Sequence, residues 1–313
     1  TDSYNKDFQE WIKKVEEPHL EKVKQEIKKV KINPKISILI PTYNSNVDLL
    51  EKAIQSVENQ WFKNWEICIV DDGSTDKNTL NYLNLIRNEK IKIKFRKINK
   101  GIGQTTNEAL ALASGDYFAL LDHDDELTPN ALAEAVILLD KHPDTDMIYS
   151  DEDKLDQHGK RVDPFFKPDW SPDYFLSSMY TTHLGIYRTK LARTIGGFRK
   201  DYDGSQDYDF ALRFTEKTKN ILHIPHILYH WRKTLHSTAL SYSTKHYART
   251  STQNALLDTI KRRALNGSLE DGLQPDLFRI KYKVKHNPLV SILIPTKDKK
   301  EYLERCIKSI ITK

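Results

Sequence analysis

Asp122 and Asp124 flank His123 directly after an apolar run at residues 117–121, and two carboxylates at that spacing make an oxygen-donor pair. If the run is a strand that extends through the triplet, residues two apart share a side and both carboxylates face one point. Such a site suits Mg2+ or Mn2+, which complete their shells with phosphate oxygens and water. An ion held there would neutralise a diphosphate as charge develops on it. The plainer reading is an acidic loop that caps the next helix, which fits Asp125 and Glu126 better than Asp124.

Two further polar clusters follow apolar runs. Asp71-Asp72-Gly73-Ser74 is made of the residues that tight turns prefer, and a carboxylate there could equally accept the ring N–H of a pyrimidine. Thr42-Tyr43 after Pro41 could offer backbone and ring contacts to a base, or simply pack a loop.

These clusters need a frame, and the sequence supplies one. Residues 36–40 and 65–70 are apolar, β-branched runs that stop at Pro41 and at Asp71, as buried parallel strands do. Between them Leu49, Leu50, Ala53, Ile54 and Val57 repeat at the helical period, so the three segments form a right-handed βαβ unit. A strand at 91–98, a helix at 103–113 and a strand at 116–121 repeat the pattern, and Thr128 with Pro129 predicts the next helix start. Ligands of open α/β sheets lie beyond the carboxyl ends of the strands, so the loops at 41–46, 71–76 and 122–126 converge on one crevice. Upstream, residues 4–31 carry Phe8, Trp11, Ile12 and Val15 at helical spacing, interrupted by Pro18, which predicts two helices packed outside the core. Downstream, residues 290–296 restate 36–42 almost letter for letter, and 302–310 echo 49–57, so a second copy of the unit begins near the C-terminus.

Taken in order, Pro41-Thr42-Tyr43-Asn44, Val70-Asp71-Asp72-Gly73-Ser74, Asn99-Lys100-Gly101, Ala113-Ser114-Gly115-Asp116 and Leu121-Asp122-His123-Asp124-Asp125 resemble glycosyltransferase family 2 with its GT-A fold. Tyr149-Ser150-Asp151-Glu152-Asp153-Lys154, Gly196-Gly197-Phe198, Gln206-Asp207-Tyr208-Asp209 and Leu228-Tyr229-His230-Trp231-Arg232 resemble its bacterial O-antigen and capsule branch, including rhamnosyltransferase-like multidomain members. The resemblance implies an α/β, Rossmann-like twisted mixed sheet flanked by helices, divided into a helical extension at 1–33, a GT-A domain at 34–265, a linker at 266–287 and a second, truncated GT-A domain at 288–313.

It also implies roles. Thr42, Tyr43 and Asp72 hold the nucleobase, Pro41 and Gly101 also bind the nucleotide, Asp122 lies near ribose and metal, and Asp124 is the main metal ligand. Asp207 stands where the family keeps its catalytic base, which single-displacement inversion requires; the competing reading is a cap on a helix at 208–216. Gln206 occupies a position where the family often has Glu. His230 is a candidate third metal ligand, with His236 as its competitor, and Arg232 a candidate diphosphate partner. Asp151 and Glu152 fall on the donor-sugar or acceptor side, against a plain solvated loop, and Trp170 stacks on a sugar or packs a core.

Composition bounds the rest. With 49 Lys+Arg against 44 Asp+Glu the net charge of +5 is too small to argue for nucleic acid. Basic runs at 22–35 and 90–100 read as solvated faces or as surfaces for an anionic membrane or a diphosphate. Cys68 and Cys306 suggest neither a disulfide framework nor a zinc site. The absence of a long apolar run and of a signal pattern suggests a cytoplasmic protein, peripheral at the inner membrane face if its glycan acceptor is lipid-linked. A chain that begins at Thr1 reads as a piece of a longer protein.

The expected activity is inverting, metal-dependent transfer of a hexose or deoxyhexose from a UDP-, dTDP- or GDP-linked donor to a hydroxyl of a bacterial surface polysaccharide. The alternative is a non-catalytic GT-A module that binds glycan or nucleotide within a larger synthase. A sugar nucleotidyltransferase is disfavoured because the loop after the first strand holds neither Gly nor a basic residue.

Overall fold

The structure, a computed structural model, describes residues 2–233, 242–274 and 277–312. Its helices are α1 (Asp2–Trp11), α2 (Glu17–Glu26), α3 (Val47–Glu58), α4 (Lys77–Leu85), α5 (Ile102–Leu112), α6 (Ala131–Lys141), α7 (Pro172–Phe175), α8 (Thr189–Thr194), α9 (Gln206–Thr215), α10 (Tyr242–Arg262) and α11 (Lys300–Ile311). Its strands are β1 (Ile36–Thr42), β2 (Trp65–Asp71), β3 (Ile91–Phe95), β4 (Tyr117–Leu120), β5 (Glu126–Leu127), β6 (Met147–Leu155), β7 (Arg161–Phe165), β8 (Gly185–Arg188), β9 (Ile221–Arg232), β10 (Gly267–Asp271) and β11 (Phe278–Tyr282).

Nine strands form one mixed sheet in the order β3-β2-β1-β4-β8-β6-β9-β5, with β7 added on β6. β1 pairs in parallel with β2 and β4, β2 with β3, and β6 with β9, while β8 runs antiparallel between β4 and β6. Every residue of β2 is buried, as the apolar run Ile67–Val70 demands of a strand covered on both faces. A charged side chain precedes that run. Glu66 lies almost wholly inside, its Oε1 accepting from Ser37 Oγ at 2.7 Å and from the Ser114 N–H at 2.5 Å, and its Oε2 paired with Lys35 at 2.7 Å and Lys92 at 2.8 Å. Cys68 is buried on the same strand as a small apolar residue.

The N-terminal segment differs from the two separate helices expected. Pro18 sits in the first turn of α2, and a π-helical stretch at Ile12–Glu16 carries the chain from α1 into α2 without a break. A proline removes one N–H and crowds the carbonyl four residues back, and the widened turn relieves that crowding. Nor does the segment lie outside the core: Val23 joins the main apolar cluster, and Arg161 pairs with Glu16 at 2.5 Å. The helix expected from Thr128 begins at Ala131 instead, because the Thr128 carbonyl accepts the Ala131 N–H in a turn and its N–H is bonded to Leu228 of β9.

Residues 1–281 form one compact unit and 282–313 another. The segment 266–287, read from the sequence as a linker, contains β10 and β11, which pair with each other, and Phe278 is buried. Within the second, α11 forms, but residues 290–296 make no strand; Leu293 stays 89 % exposed because a strand needs a ladder partner that this unit lacks.

Candidate active site

The carboxyl ends of β1, β2 and β4 meet at one edge of the sheet, and Thr42 stands opposite Asp71 in the β1–β2 register. Asn44 stitches the first two loops together: its Oδ1 accepts the N–H groups of Thr75 at 2.8 Å and Asp76 at 2.9 Å, while its own N–H donates to Ser74 Oγ at 2.7 Å. Asn44 adopts φ 45°, a left-handed conformation that Asn tolerates better than most residues. Gly73, at φ 73°, has no such latitude, since a Cβ there would stand 2.8 Å from the Ile98 backbone.

A cavity of about 310 Å3 opens over these loops, lined by Pro41, Thr42, Tyr43, Asp72, Asn99, Gly101, Ile102, Thr105 and His123. Asp72 anchors its far wall. Its carboxylate accepts the N–H groups of Lys100 at 3.0 Å and Gly101 at 2.9 Å and pairs with Arg96 at 3.0 Å. Gly101, at φ 91°, opens α5, and a Cβ there would fall 2.0 Å from the Asp203 carboxylate. Pro41, Thr42, Tyr43, Asp72 and Gly101, all expected to bind the nucleotide, therefore line a single recess, with half-exposed Tyr43 at its mouth.

A smaller cavity of about 80 Å3 adjoins it, sharing Pro41 and Ile102, and here Asp122 meets Gln206, Asp207, Thr182 and His183. Ser205 precedes α9, so Asp207 occupies the first helical turn rather than a cap position, and one carboxylate oxygen accepts the Tyr208 N–H at 2.8 Å. Burial drives its carboxyl above the ordinary Asp range; the Tyr208 hydrogen bond and His183 only moderate the effect. Gln206 turns back to accept the Gly204 N–H at 2.8 Å.

The acidic triplet is not a strand continuation. β4 ends at Leu120, and the Asp125 N–H closes a turn onto the Asp122 carbonyl at 3.3 Å, so strand alternation does not apply beyond Leu121. Asp122 faces the inner cavity and His123 the outer one, while Asp124 lines neither. Asp125 is wholly buried and structural: it accepts from the Tyr229 hydroxyl at 2.6 Å and from the Arg232 N–H at 2.7 Å. Tyr229 also receives the Asp122 N–H at 3.3 Å, so one phenol fixes both ends of the turn. Desolvation raises the Asp124 carboxyl, and the neighbouring charge of Asp122 raises it further. A bound cation would favour the charged form of the Asp124 carboxyl, and carboxylate oxygens such as those of Asp122 and Asp124 are donors that suit Mg2+ or Mn2+.

Several residues singled out in the sequence stand elsewhere. Arg232 donates from Nε to the Asp124 carbonyl at 3.0 Å and pairs with Glu126, bracing the acidic turn from behind. His230 is hydrogen-bonded through Nδ1 to Asp153 at 2.5 Å, and its ligand atoms do not cluster with those of Asp122 and Asp124. His236 lies outside the described residues. Asp151 and Glu152 are neither in a loop nor solvated: both are buried on β6 and line neither cavity. Asp151 is bonded to the Lys167 N–H and to His223, each at 2.8 Å. Trp170 packs against Phe175 and Tyr180 with centroids 5.0 and 6.3 Å away.

Glu152 nonetheless reaches the site through a residue that the sequence did not mark. It accepts from Lys167 Nζ at 3.0 Å, Thr182 Oγ1 at 2.7 Å and the His183 N–H at 3.0 Å, and lies 3.5 Å from His183 Nδ1. The His183 ring stacks on Tyr229 at 4.4 Å and presents Nε2 to Asp122 at 3.9 Å. Burial opposes its charge, but Glu152, Asp122 and Asp125 outweigh that and raise it to about 9. Nothing in the local sequence distinguishes His183, because its role depends on a buried carboxylate contributed by a different strand.

Residues 37–196 match the model described as Glycosyl transferase family 2. The chain belongs to glycosyl transferase family 2. Among similar family members, an uncharacterized protein of Sinorhizobium fredii is 38 % identical over 91 % of this chain and 32 % of its own length. The O-antigen biosynthesis protein RfbC of Myxococcus xanthus is 31 % identical over 97 % of this chain and 24 % of its own length. The chain thus spans a third or less of either relative. TarS 1–349 of S. aureus, solved in complex with UDP-GlcNAc, shares the GT-A fold: its TM-score is 0.57 at 22 % identity, covering 73 % of this chain and 72 % of that one.

Proposed function

We propose that this family 2 domain is an inverting, metal-dependent glycosyltransferase that moves a hexosyl or deoxyhexosyl group from a nucleoside diphosphate to a hydroxyl of a bacterial surface polysaccharide. One observation carries the reading: a recess lined by Thr42, Tyr43 and Asp72 adjoins a smaller one holding Asp122 and Asp207. A nucleoside fits the first, and its sugar enters the second.

There Asp207 takes the proton of the acceptor hydroxyl as that oxygen bonds to the anomeric carbon and the bond to the diphosphate breaks. A raised carboxyl suits a base that works near neutral pH. Asp122 and Asp124 would hold the divalent ion, which when bound stabilises the negative charge of the leaving diphosphate. His183, raised by Glu152, Asp122 and Asp125 and facing Asp122, orients that acid. A polysaccharide acceptor is supported by the similarity to RfbC, an O-antigen biosynthesis protein.

If that acceptor is carried on a lipid, the domain works as a peripheral protein at the inner face of the membrane. No helix among the described residues is long and apolar enough to cross one. In the basic run at 90–100, Lys92 pairs with Glu66, Lys94 with Glu108 and Arg96 with Asp72, which leaves the exposed Lys97 and Lys100 as the charges such a surface would use.

A thermal-shift panel of UDP, dTDP, GDP and CDP with and without Mn2+ tests the reading. One nucleotide should raise the melting temperature, and more so with Mn2+; no response to any of the four would overturn donor binding in this recess.

A further inference from the structure

A second cluster of ligand-type side chains lies away from the cleft, where the N-terminal helix meets the domain. His19 on α2, Glu134 on α6 and His226 on β9 each present one ligand atom, and the three atoms lie within 4.8 Å of one another. His19 Nε2 is 2.6 Å from Glu134 Oε1, which also accepts from Asn130 Nδ2 at 3.3 Å. The His19 and His226 rings stack with centroids 3.7 Å apart and planes inclined by 20°.

The backbone delivers His226 there by an irregularity. The β6–β9 ladder pairs Ser150 with Ile224 and then Asp151 with Ile227, so Pro225 and His226 are extruded between consecutive pairs. Such bulges re-aim a side chain, and Pro225 has no N–H to lose from the ladder. Among the described residues His226 has no hydrogen-bond partner; its ring stacks on His19, with Asp151 and His223 also near enough to act on its charge. An imidazole re-aimed by a bulge into a buried carboxylate and a second imidazole, yet bonded to neither, has unused donor capacity.

We propose that His19, Glu134 and His226 form a binding site for a divalent transition metal, Zn2+ in the first instance, that pins the N-terminal helical segment to the glycosyltransferase domain. Two imidazoles and one carboxylate are a ligand set for Zn2+ rather than for Mg2+ or Ca2+, which prefer all-oxygen shells, and water completes the fourth position. Asn130 supplies the supporting hydrogen bond that fixes the carboxylate. The site is chemically distinct from the all-oxygen pair Asp122 and Asp124 and does not depend on the activity assigned to that pair.

The test uses the full chain, stripped with chelator and titrated with Co2+ alone as a spectroscopic substitute for Zn2+. The wild-type protein should take up one equivalent with the intense visible d–d bands of a four-coordinate ion, Zn2+ should displace it, and Zn2+ should raise the melting temperature. Asp124→Ala should leave the bands in place, whereas His226→Phe, which keeps an aromatic ring over His19, should weaken binding at least as much as the roughly 10–100-fold cost of losing a supporting partner. Glu134→Gln provides a second variant if His226→Phe does not fold. Absence of the bands in wild type, bands unchanged in both ligand variants, or bands lost in Asp124→Ala would each overturn the proposal.

Discussion

Asp122 and Asp207 line the same cavity of about 80 Å3, although one belongs to the turn after β4 and the other to the first turn of α9. In the proposed reaction that proximity separates two tasks between two carboxylates: one near the donor's diphosphate, the other where an acceptor hydroxyl must lose its proton. Their environments also differ, since burial pushes Asp207 up while Asp122 stands half-exposed, facing His183.

The first prediction is a pH profile. A base must be ionised to accept a proton, so activity falls as pH drops through its pKa. With Asp207 raised by burial, the acid limb of kcat/KM should lie clearly above the ordinary Asp value of about 3.9. A limb at or below about 4, measured with Mn2+ held saturating, would remove Asp207 from that role.

The second concerns the acidic turn. Asp124→Ala removes one carboxylate of the proposed ion site while leaving the Asp125 bonds to Tyr229 and Arg232 that hold the turn. Calorimetry should show nucleoside diphosphate affinity reduced at least tenfold with Mn2+ present and little changed without it. Equal affinities for wild type and variant in Mn2+ would exclude Asp124 from metal binding.

The third concerns stability. Burial opposes the charge of Glu66, but Lys35, Lys92, Ser114 and Ser37 outweigh it and hold its carboxyl well below the usual range. A depressed carboxyl contributes stability that is complete above its unfolded pKa near 4.5 and fades as pH falls below it. Glu66→Gln should cost about 1–3 kcal/mol in denaturant titrations at pH 7. The gap to wild type should narrow at pH 3.5; a constant gap would mean that the charge contributes nothing.

The frame of the fold was legible because its signals are local. The run at 36–40 and the helical period at 48–59 became β1 and α3 almost to the residue, since a covered parallel strand and an amphipathic helix each write their burial into a short window. The loops after β1 and β2 were legible for the same reason: Asn44, Gly73 and Gly101 serve the turn chemistry their types suggest. What could not be read is set by long-range neighbours. Asp151 and Glu152 looked like a solvated acidic loop because the groups that bury them, Lys167, Thr182 and His223, come from three distant segments. Arg232 looked free for a ligand, yet the pairing of β5 with β9 places it on Glu126. The turn at 122–125 depends on Tyr229, which no local pattern reports.

The measurement that bears most directly on the account is Asp207→Asn, which keeps size and polarity and removes the proton acceptor. Wild type and variant should bind the nucleoside diphosphate with Mn2+ equally well by calorimetry, while the turnover rate of sugar transfer falls by about 10²–10⁴-fold, the typical contribution of a general base. Transfer at the wild-type rate, or loss of nucleotide binding together with activity, would contradict the assignment of Asp207 as the base.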